Sequence, residues 1–397
     1  MGDIKMINTI KKIKQNFNAE NYKVGEKLKY DIKKVSIDIW SNLKGRKEDD
    51  YSCLSSVHKF LIDEYKEILQ REVCFKNDHC LKNTLNLKTS IKSFTDGALS
   101  SRIYIFNDEE YDYYFIGDIH SDYFIIERFL QNINFYERVI NKEKLRIIFL
   151  GDYVDRGKNH LRTLEKILLL KYIFPGNIYH LQGNHDGGKY VDGEVKLCVK
   201  KPEEDKEEDY FLLYLQKLSR ENKTFDKELI GEYLTLFYSL AAMAIVYKNN
   251  TGYLCIHGGI PRPRRQEEKK YNYITSLKDF SSMDILDNMG DTIIHNMLWS
   301  DPIRAEEEVD EVHRRFNFTE EEFESFISLL GIDYLIRGHE AHESGCELYF
   351  NNRLYSVFSS GAVMEKNKNI NEETAYEKVS PKIISLKGKD LTIEEIK

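Results

Sequence analysis

The stretch Gly151-Asp152-Tyr153-Val154-Asp155-Arg156-Gly157 limits the folds open to this chain more than any other. It follows Arg146-Ile147-Ile148-Phe149-Leu150, an apolar and β-branched run short enough to be a buried strand, so two carboxylates and an arginine emerge where that strand ends. Open α/β sheets carry their chemistry at such strand ends. The same grammar recurs along the chain. Residues 113–116 run into Gly117-Asp118-Ile119-His120, and residues 177–182 into Gly183-Asn184-His185-Asp186. Residues 253–256 lead to His257-Gly258-Gly259, and residues 333–336 to Arg337-Gly338-His339-Glu340. Glycines at these junctions let the backbone turn sharply and approach whatever the neighbouring side chains hold. Strand, ligand loop and helix in alternation specify a layered α/β fold.

In this order GDIH, GDYVDRG, GNHD, HGG and RGHE, with Leu298-Trp299-Ser300-Asp301-Pro302 between the last two, resemble the phosphoprotein phosphatase (PPP) family of the calcineurin-like dimetal metallophosphoesterases. The resemblance runs from about residue 113 onward. It implies a β-sandwich of two mixed sheets flanked by helices. It also implies two divalent cations, manganese first, with iron or zinc as the other candidates. Asp118, His120, Asp152, Asn184, His257 and His339 would be the metal ligands, with Asp152, at the central strand end, as the bridge. By the same resemblance His185 is the general acid, oriented by Asp155, and Arg156 and Asn184 hold the phosphate. A second phosphate-binding arginine belongs between the LWSDP and RGHE segments. Arg304, Arg314 and Arg315 compete for it, and Arg315 is preferred; Arg337 reads as structural.

The implied activity is a serine/threonine-type protein phosphatase that hydrolyses phosphomonoesters by direct attack of a metal-bridging hydroxide. Charge arithmetic agrees: two divalent cations against Asp118 and Asp152 leave the site net positive, suited to a phosphate dianion and to an acidified water. A phosphotyrosine-preferring phosphatase, a dinucleoside polyphosphate hydrolase and a phosphodiesterase share the same metal motifs and stay open as alternatives, so a nucleotide substrate is possible. A binding module that kept the fold without activity is disfavoured by intact catalytic positions. Three departures stand out. Ser121 replaces the glycine expected after GDIH, Asp186 replaces a glutamate, and Phe358-Ser359-Ser360-Gly361 stands where the eukaryotic enzymes carry an SAPNYCG loop whose tyrosine borders the site. Substrate choice and sensitivity to natural-toxin inhibitors are therefore expected to differ.

With 397 residues, 41% hydrophobic, the chain can bury a large core and is not of the disordered class. A net charge of −8 argues against a nucleic-acid surface and fits a protein or small polar substrate. Six cysteines without a CxxC pair, no signal peptide and no bilayer-length apolar run lead to the expectation of a cytoplasmic protein that does not enter membranes. Cys74, His79 and Cys80 lack a fourth ligand in register, so ordinary residues are favoured there over a metal clip.

Residues 1–97 form an N-terminal mainly helical extension without a motif, read as a brace on the core or as a docking module. Val57, Phe60, Leu61, Tyr65 and Leu69 mark one helical face in it. Residues 98–397 form the catalytic domain, with an insertion at about 187–240. The insertion contains Lys200-Lys201-Pro202-Glu203-Glu204-Asp205-Lys206-Glu207-Glu208-Asp209, a charge run that reads as a solvated loop placed where it could overhang the site. Pro261-Arg262-Pro263-Arg264-Arg265 reads as a surface loop, with an acidic or phosphorylated partner as the alternative.

Overall fold

Apolar side chains alternate between two sets of neighbours along the central strands, and this alternation sets the layers. In β3 (Asp112–Ile116), Tyr113 and Phe115 join one buried cluster while Tyr114 and Ile116 join another. In β4 (Leu145–Phe149), Ile148 faces the first cluster and Ile147 and Phe149 the second. The computed structural model describes residues 2–43, 49–73, 82, 84–91, 94, 96–100, 102–264, 270–281, 292–304, 315–366 and 368–397. Cys74, His79, Cys80, Arg265 and Arg314 lie outside the described residues.

Two mixed sheets face each other across the first cluster. One has five strands in the order β18-β17-β3-β4-β5, where β5 is Ile178–His180, β17 Lys382–Lys387 and β18 Asp390–Glu395. β3, β4 and β5 run parallel, and β17 joins β3 antiparallel. The other has seven strands in the order β1-β2-β8-β9-β12-β14-β13. Their ranges are β1 Gly97–Ser100, β2 Ile103–Phe106, β8 Met243–Lys248, β9 Thr251–Ile256, β12 Tyr334–Arg337, β13 Cys346–Tyr349 and β14 Leu354–Val357. Three small pairs complete the strands: β6 (Lys189–Val191) with β7 (Glu194–Lys196), β10 (Asp301–Pro302) with β11 (Asn317–Phe318), and β15 (Met364–Glu365) with β16 (Lys368–Asn369). Single bridges between Asp118 and Phe358 and between Leu181 and Ala241 tie the two sheets at the ends of β3 and β5. This is the β-sandwich of two mixed sheets that the motifs imply.

Helices cover both outer faces. Against the five-stranded sheet lie α1 (Gly2–Asn18), α2 (Gly25–Leu43) and α3 (Ser52–Glu72). The same cluster takes in α5 (Tyr123–Asn132), α6 (Phe135–Ile140), α7 (His160–Ile173), α8 (Phe211–Glu221) and α9 (Leu229–Ser239). Outside the seven-stranded sheet lie α4 (Leu87–Ser90), α10 (Ile293–Trp299) and α11 (Glu320–Leu330). Val57, Leu61 and Tyr65 are buried on the predicted face of α3, and each fully buried aliphatic chain of this size contributes about 1.5–3 kcal/mol. Polar contacts fix the angle: Tyr65 Oη and His180 Nδ1 share a hydrogen bond at 2.7 Å, and Ser36 Oγ donates to Glu165 at 2.5 Å. The N-terminal helices thus share one core with the helices of the insertion and with β5.

Candidate active site

Each parallel strand of the five-stranded sheet ends at one edge, and the polar loops after β3, β4 and β5 meet there. The backbone is strained where it delivers the side chains. His120, Ser121, Asp152, Asp155, Arg156 and His339 all have left-handed φ, between 46° and 79°. Non-glycine residues held there cost of order 1–3 kcal/mol each and persist only where the surroundings over-determine them. Ser121, at φ 62°, explains why glycine suits its position; its Oγ bonds His160 Nδ1 at 2.6 Å. Asp186 straps the loops together. Its Oδ2 accepts from the N–H groups of Asp152 and Gly183, both at 2.8 Å, and its Oδ1 from Tyr153 N–H at 3.0 Å.

Two donor clusters share Asp152. On one side His120 donates Nδ1–H to Val154 O at 3.0 Å, which leaves Nε2 facing Asp118 Oδ2 at 3.5 Å and Asp152 Oδ2 at 3.6 Å. Asp118 Oδ2 is buried and accepts no hydrogen bond. On the other side His257 Nδ1 donates to Leu150 O at 3.0 Å, and its Nε2 lies 2.7 Å from Asn184 Oδ1 and 3.4 Å from Asp152 Oδ1. His339 Nδ1 completes the group, 2.9 Å from Asn184 Oδ1 and 3.1 Å from His257 Nε2. Burial disfavours a charged His257, yet the Asp152 carboxylate overrides burial and raises its pKa to about 9. Burial, His257 and Arg315 hold His339 well below the ordinary histidine range. Converging lone pairs, an orphaned buried carboxylate oxygen and a field that draws a proton onto His257 are what a pair of cations would satisfy. The six residues therefore fit two divalent ions, with Asp152 between the clusters.

Beside them, His185 Nδ1 bonds Asp155 Oδ2 at 2.8 Å, while Asp155 Oδ1 accepts the Phe211 N–H at 2.7 Å. His185 N–H donates to Asp152 Oδ1 at 2.9 Å, which ties the acid candidate to the carboxylate shared by the two clusters. Arg156 Nη1 donates to Asp205 Oδ2 and to Tyr210 Oη, each at 2.8 Å. The charge run is thus no free loop: Glu203, Glu204 and Glu207 are exposed, but Asp205 reaches the site. Arg315 Nη2 is 2.6 Å from His339 Nε2, and the side chain pairs with Asp301. Arg304 instead pairs with Glu347, its side chain 60% exposed. Arg337 is fully buried, held by Asp301 at 2.7 Å, Glu340 and Gly258 O, a structural placement. Arg262 and Arg264 lie over the rings of Phe316 and Tyr273.

The Phe358–Gly361 loop buttresses the site from behind. Ser359 Oγ accepts Gly117 N–H at 2.8 Å, Ser360 N–H donates to Asp118 O at 2.9 Å, and Ser360 Oγ donates to Asp122 Oδ2 at 2.9 Å. A tyrosine does border the site, but from further along the chain: the Tyr376 ring lies 5.3 Å from that of His120 and 4.7 Å from that of Phe358. Neither Tyr376 nor Asp205 and Tyr210 stands out by motif, and Asp186, read only as a departure within GNHD, gives no sign of its role as a strap. Only the position of the charge run within the insertion that follows GNHD hints at Asp205.

The chain is 27% identical over 286 residues to a serine/threonine-protein phosphatase of Caenorhabditis elegans, covering 71% of this chain and 54% of that one. It is 25% identical over 280 residues to a putative serine/threonine-protein phosphatase of the same organism, covering 68% and 52%. The chain therefore spans about half the length of these relatives. Among solved structures, a protein serine/threonine phosphatase from Saccharomyces cerevisiae superposes with a TM-score of 0.56 at 15% identity, covering 86% of this chain and 89% of that one, a likeness of fold. Residues 112–343 match the family model of the calcineurin-like phosphoesterases, and with well over half of its length inside that match the chain belongs to this family.

Proposed function

We propose that the protein is a metal-dependent phosphoprotein phosphatase of serine/threonine type, with Asp118, His120, Asp152, Asn184, His257 and His339 as ligands of two divalent ions, manganese the first choice. The observation that carries the reading is the pairing of two donor clusters around Asp152 with a hydrogen-bonded His185–Asp155 dyad, joined through the 2.9 Å contact from His185 N–H to Asp152. The bound ions would supply Lewis acidity and an activated water for direct in-line attack on phosphorus. The chain's own groups do the rest. Asp155 accepts the Nδ1–H of His185, so Nε2 is the atom that gives a proton to the leaving oxygen. Arg156, next to Asp155 in the chain, and Arg315, against His339, bind equatorial phosphate oxygens together with Asn184. Among the described residues no helix is long and apolar enough to cross a membrane, and the free thiols of Cys53, Cys198, Cys255 and Cys346 suit a reducing cytoplasmic setting. Residues 98–397 with the insertion at about 187–240 act as the catalytic unit, and residues 1–97 act as its brace.

Phosphate release tests this, with and without manganese, from phosphoserine, phosphothreonine and phosphotyrosine peptides alongside a dinucleoside tetraphosphate and an aryl phosphodiester. Manganese-dependent turnover of the phosphoserine or phosphothreonine peptides is expected. Turnover confined to the dinucleotide or the diester would overturn the substrate assignment.

A further inference from the structure

The insertion does more than overhang the site: it holds both members of the Asp155–Arg156 pair. Phe211, the first residue of α8, gives its N–H to Asp155 Oδ1 at 2.7 Å. Asp205 and Tyr210, just before that helix, grip Arg156. Tyr210 Oη also donates to Asp205 Oδ2 at 2.6 Å, which closes a three-membered ring of contacts. Tyr210 is fully buried, and its ring lies 5.4 Å from the Arg156 guanidinium carbon.

A guanidinium has five N–H bonds, two of them on each terminal nitrogen. Nη1 of Arg156 spends both on Asp205 and Tyr210. The Nη2 and Nε edge remains, and that edge is the planar fork that matches two oxygens of a phosphate. A free arginine loses rotamer freedom when it binds, and anchoring one end removes that cost from phosphate binding in advance. A carboxylate placed on Nη1 orients the fork without occupying it.

We propose that Asp205 and Tyr210 are positioning residues, through which the insertion fixes Arg156 so that its free edge meets the substrate phosphate. This assignment rests on Arg156 being a phosphate ligand. It makes the loop 200–209 a control point, because any event that lifts Asp205 away releases the arginine.

The test uses the metal-loaded protein and two readouts: the inhibition constant of inorganic phosphate, and KM and kcat for an aryl phosphate. Asp205→Asn and Tyr210→Phe, each made alone, are expected to raise the phosphate inhibition constant about tenfold, the weight of one hydrogen bond, with KM rising in step and kcat held. Tyr210→Phe keeps the buried ring, and Asp205 is partly exposed, so both variants should melt close to the wild type. The decisive comparison is Asp205→Asn in an Arg156→Leu background, where no further loss is expected. An equal loss in both backgrounds would show that Asp205 serves only the fold of the insertion and would overturn the assignment. So would tighter phosphate binding by Asp205→Asn, which would make the carboxylate a competitor. An Arg156→Leu protein that binds phosphate as the wild type does would remove the assignment at its base, and it would be recognised from that single variant.

Discussion

Replacing Gly183 by alanine tests the meeting of the β4 and β5 loops, on which the whole site depends. A Cβ at Gly183 would stand 2.1 Å from Asp152 Oδ1, 2.2 Å from Asp152 N and 2.9 Å from Asp152 Cγ. Non-bonded heavy atoms settle at about 3.5–4.0 Å, so the two loops would have to part by more than about 1 Å. They are poorly able to part, because Asp186 Oδ2 accepts both Asp152 N–H and Gly183 N–H, and Asp152 Oδ1 accepts His185 N–H. Overpacking usually costs about 1–3 kcal/mol, and the colliding atoms here are backbone and a tethered carboxylate, so the upper end, about 3 kcal/mol, is expected. Gly183 lacks a left-handed φ, so alanine adds no conformational strain of its own and the loss measures the collision. Gly231 in α9, where an added methyl would meet nothing within 4 Å, is the control: alanine there should stabilise by about 0.5–1 kcal/mol. Urea unfolding of both variants, with metal content and phosphate release of the purified proteins, reads the result. A Gly183→Ala protein with the wild-type midpoint and full activity would refute the juxtaposition of Asp152 and Gly183.

His185→Asn should cost about 10²–10⁴-fold in turnover of a phosphoserine peptide and far less for an aryl phosphate whose leaving group needs no proton; equal losses on both would remove His185 as the acid. Burial, with Lys171 nearby, holds the His180 pKa well below its ordinary 6.5. A histidine kept neutral in the fold contributes stability that is complete above 6.5 and lost as pH falls below it, because the unfolded chain then takes a proton that the fold refuses. Between pH 7.5 and 5.5 the wild type should therefore lose up to about 1.4 kcal/mol relative to His180→Gln, and parallel urea curves at the two pH values would sink the idea. Arg337→Met should destabilise by about 3–5 kcal/mol, because Glu340, Asp301 and the Gly258 carbonyl all lose their buried partner. An unfolding free energy within error of the wild type would return Arg337 to the surface.

The strand ends were legible because two local patterns coincide there. Apolar runs such as 146–150 identify buried strands, and a glycine with a ligand residue marks where each one stops. β4 and β9 appear where those runs stand. What could not be read depends on the path of the chain between elements. Asp205 meets Arg156 across 49 residues of sequence, and its type and neighbours fit a solvated loop equally well. Tyr376 lies in no regular element, so no periodicity points to it. Ser121 looked like a plain departure from glycine, and only the backbone at φ 62° shows that the left-handed turn is kept without it.

The N-terminal helices pose the same problem at larger scale, since an amphipathic face in sequence does not say what it packs on. Here the partner is the layer built on the five-stranded sheet. Leu28, Ile32, Leu54, Val57 and Leu61 are nearly inaccessible in the same cluster as Ile147, Phe149 and Leu164. Lys171 of α7, also buried, is satisfied by Glu72 of α3 and by the Ile178 carbonyl. Removing residues 1–96 would uncover the apolar faces of α6, α7 and α9 on which α1–α3 pack and would take the Glu72 carboxylate from Lys171. The truncated protein is therefore expected to aggregate on expression, and refolded material should bind a hydrophobic dye and lose phosphate release. A docking module would behave otherwise, because such a segment can be cut away with its partner-binding activity while turnover survives. A soluble, monomeric and active fragment 97–397 would show that the helices are an appendage, and that the core does not depend on them.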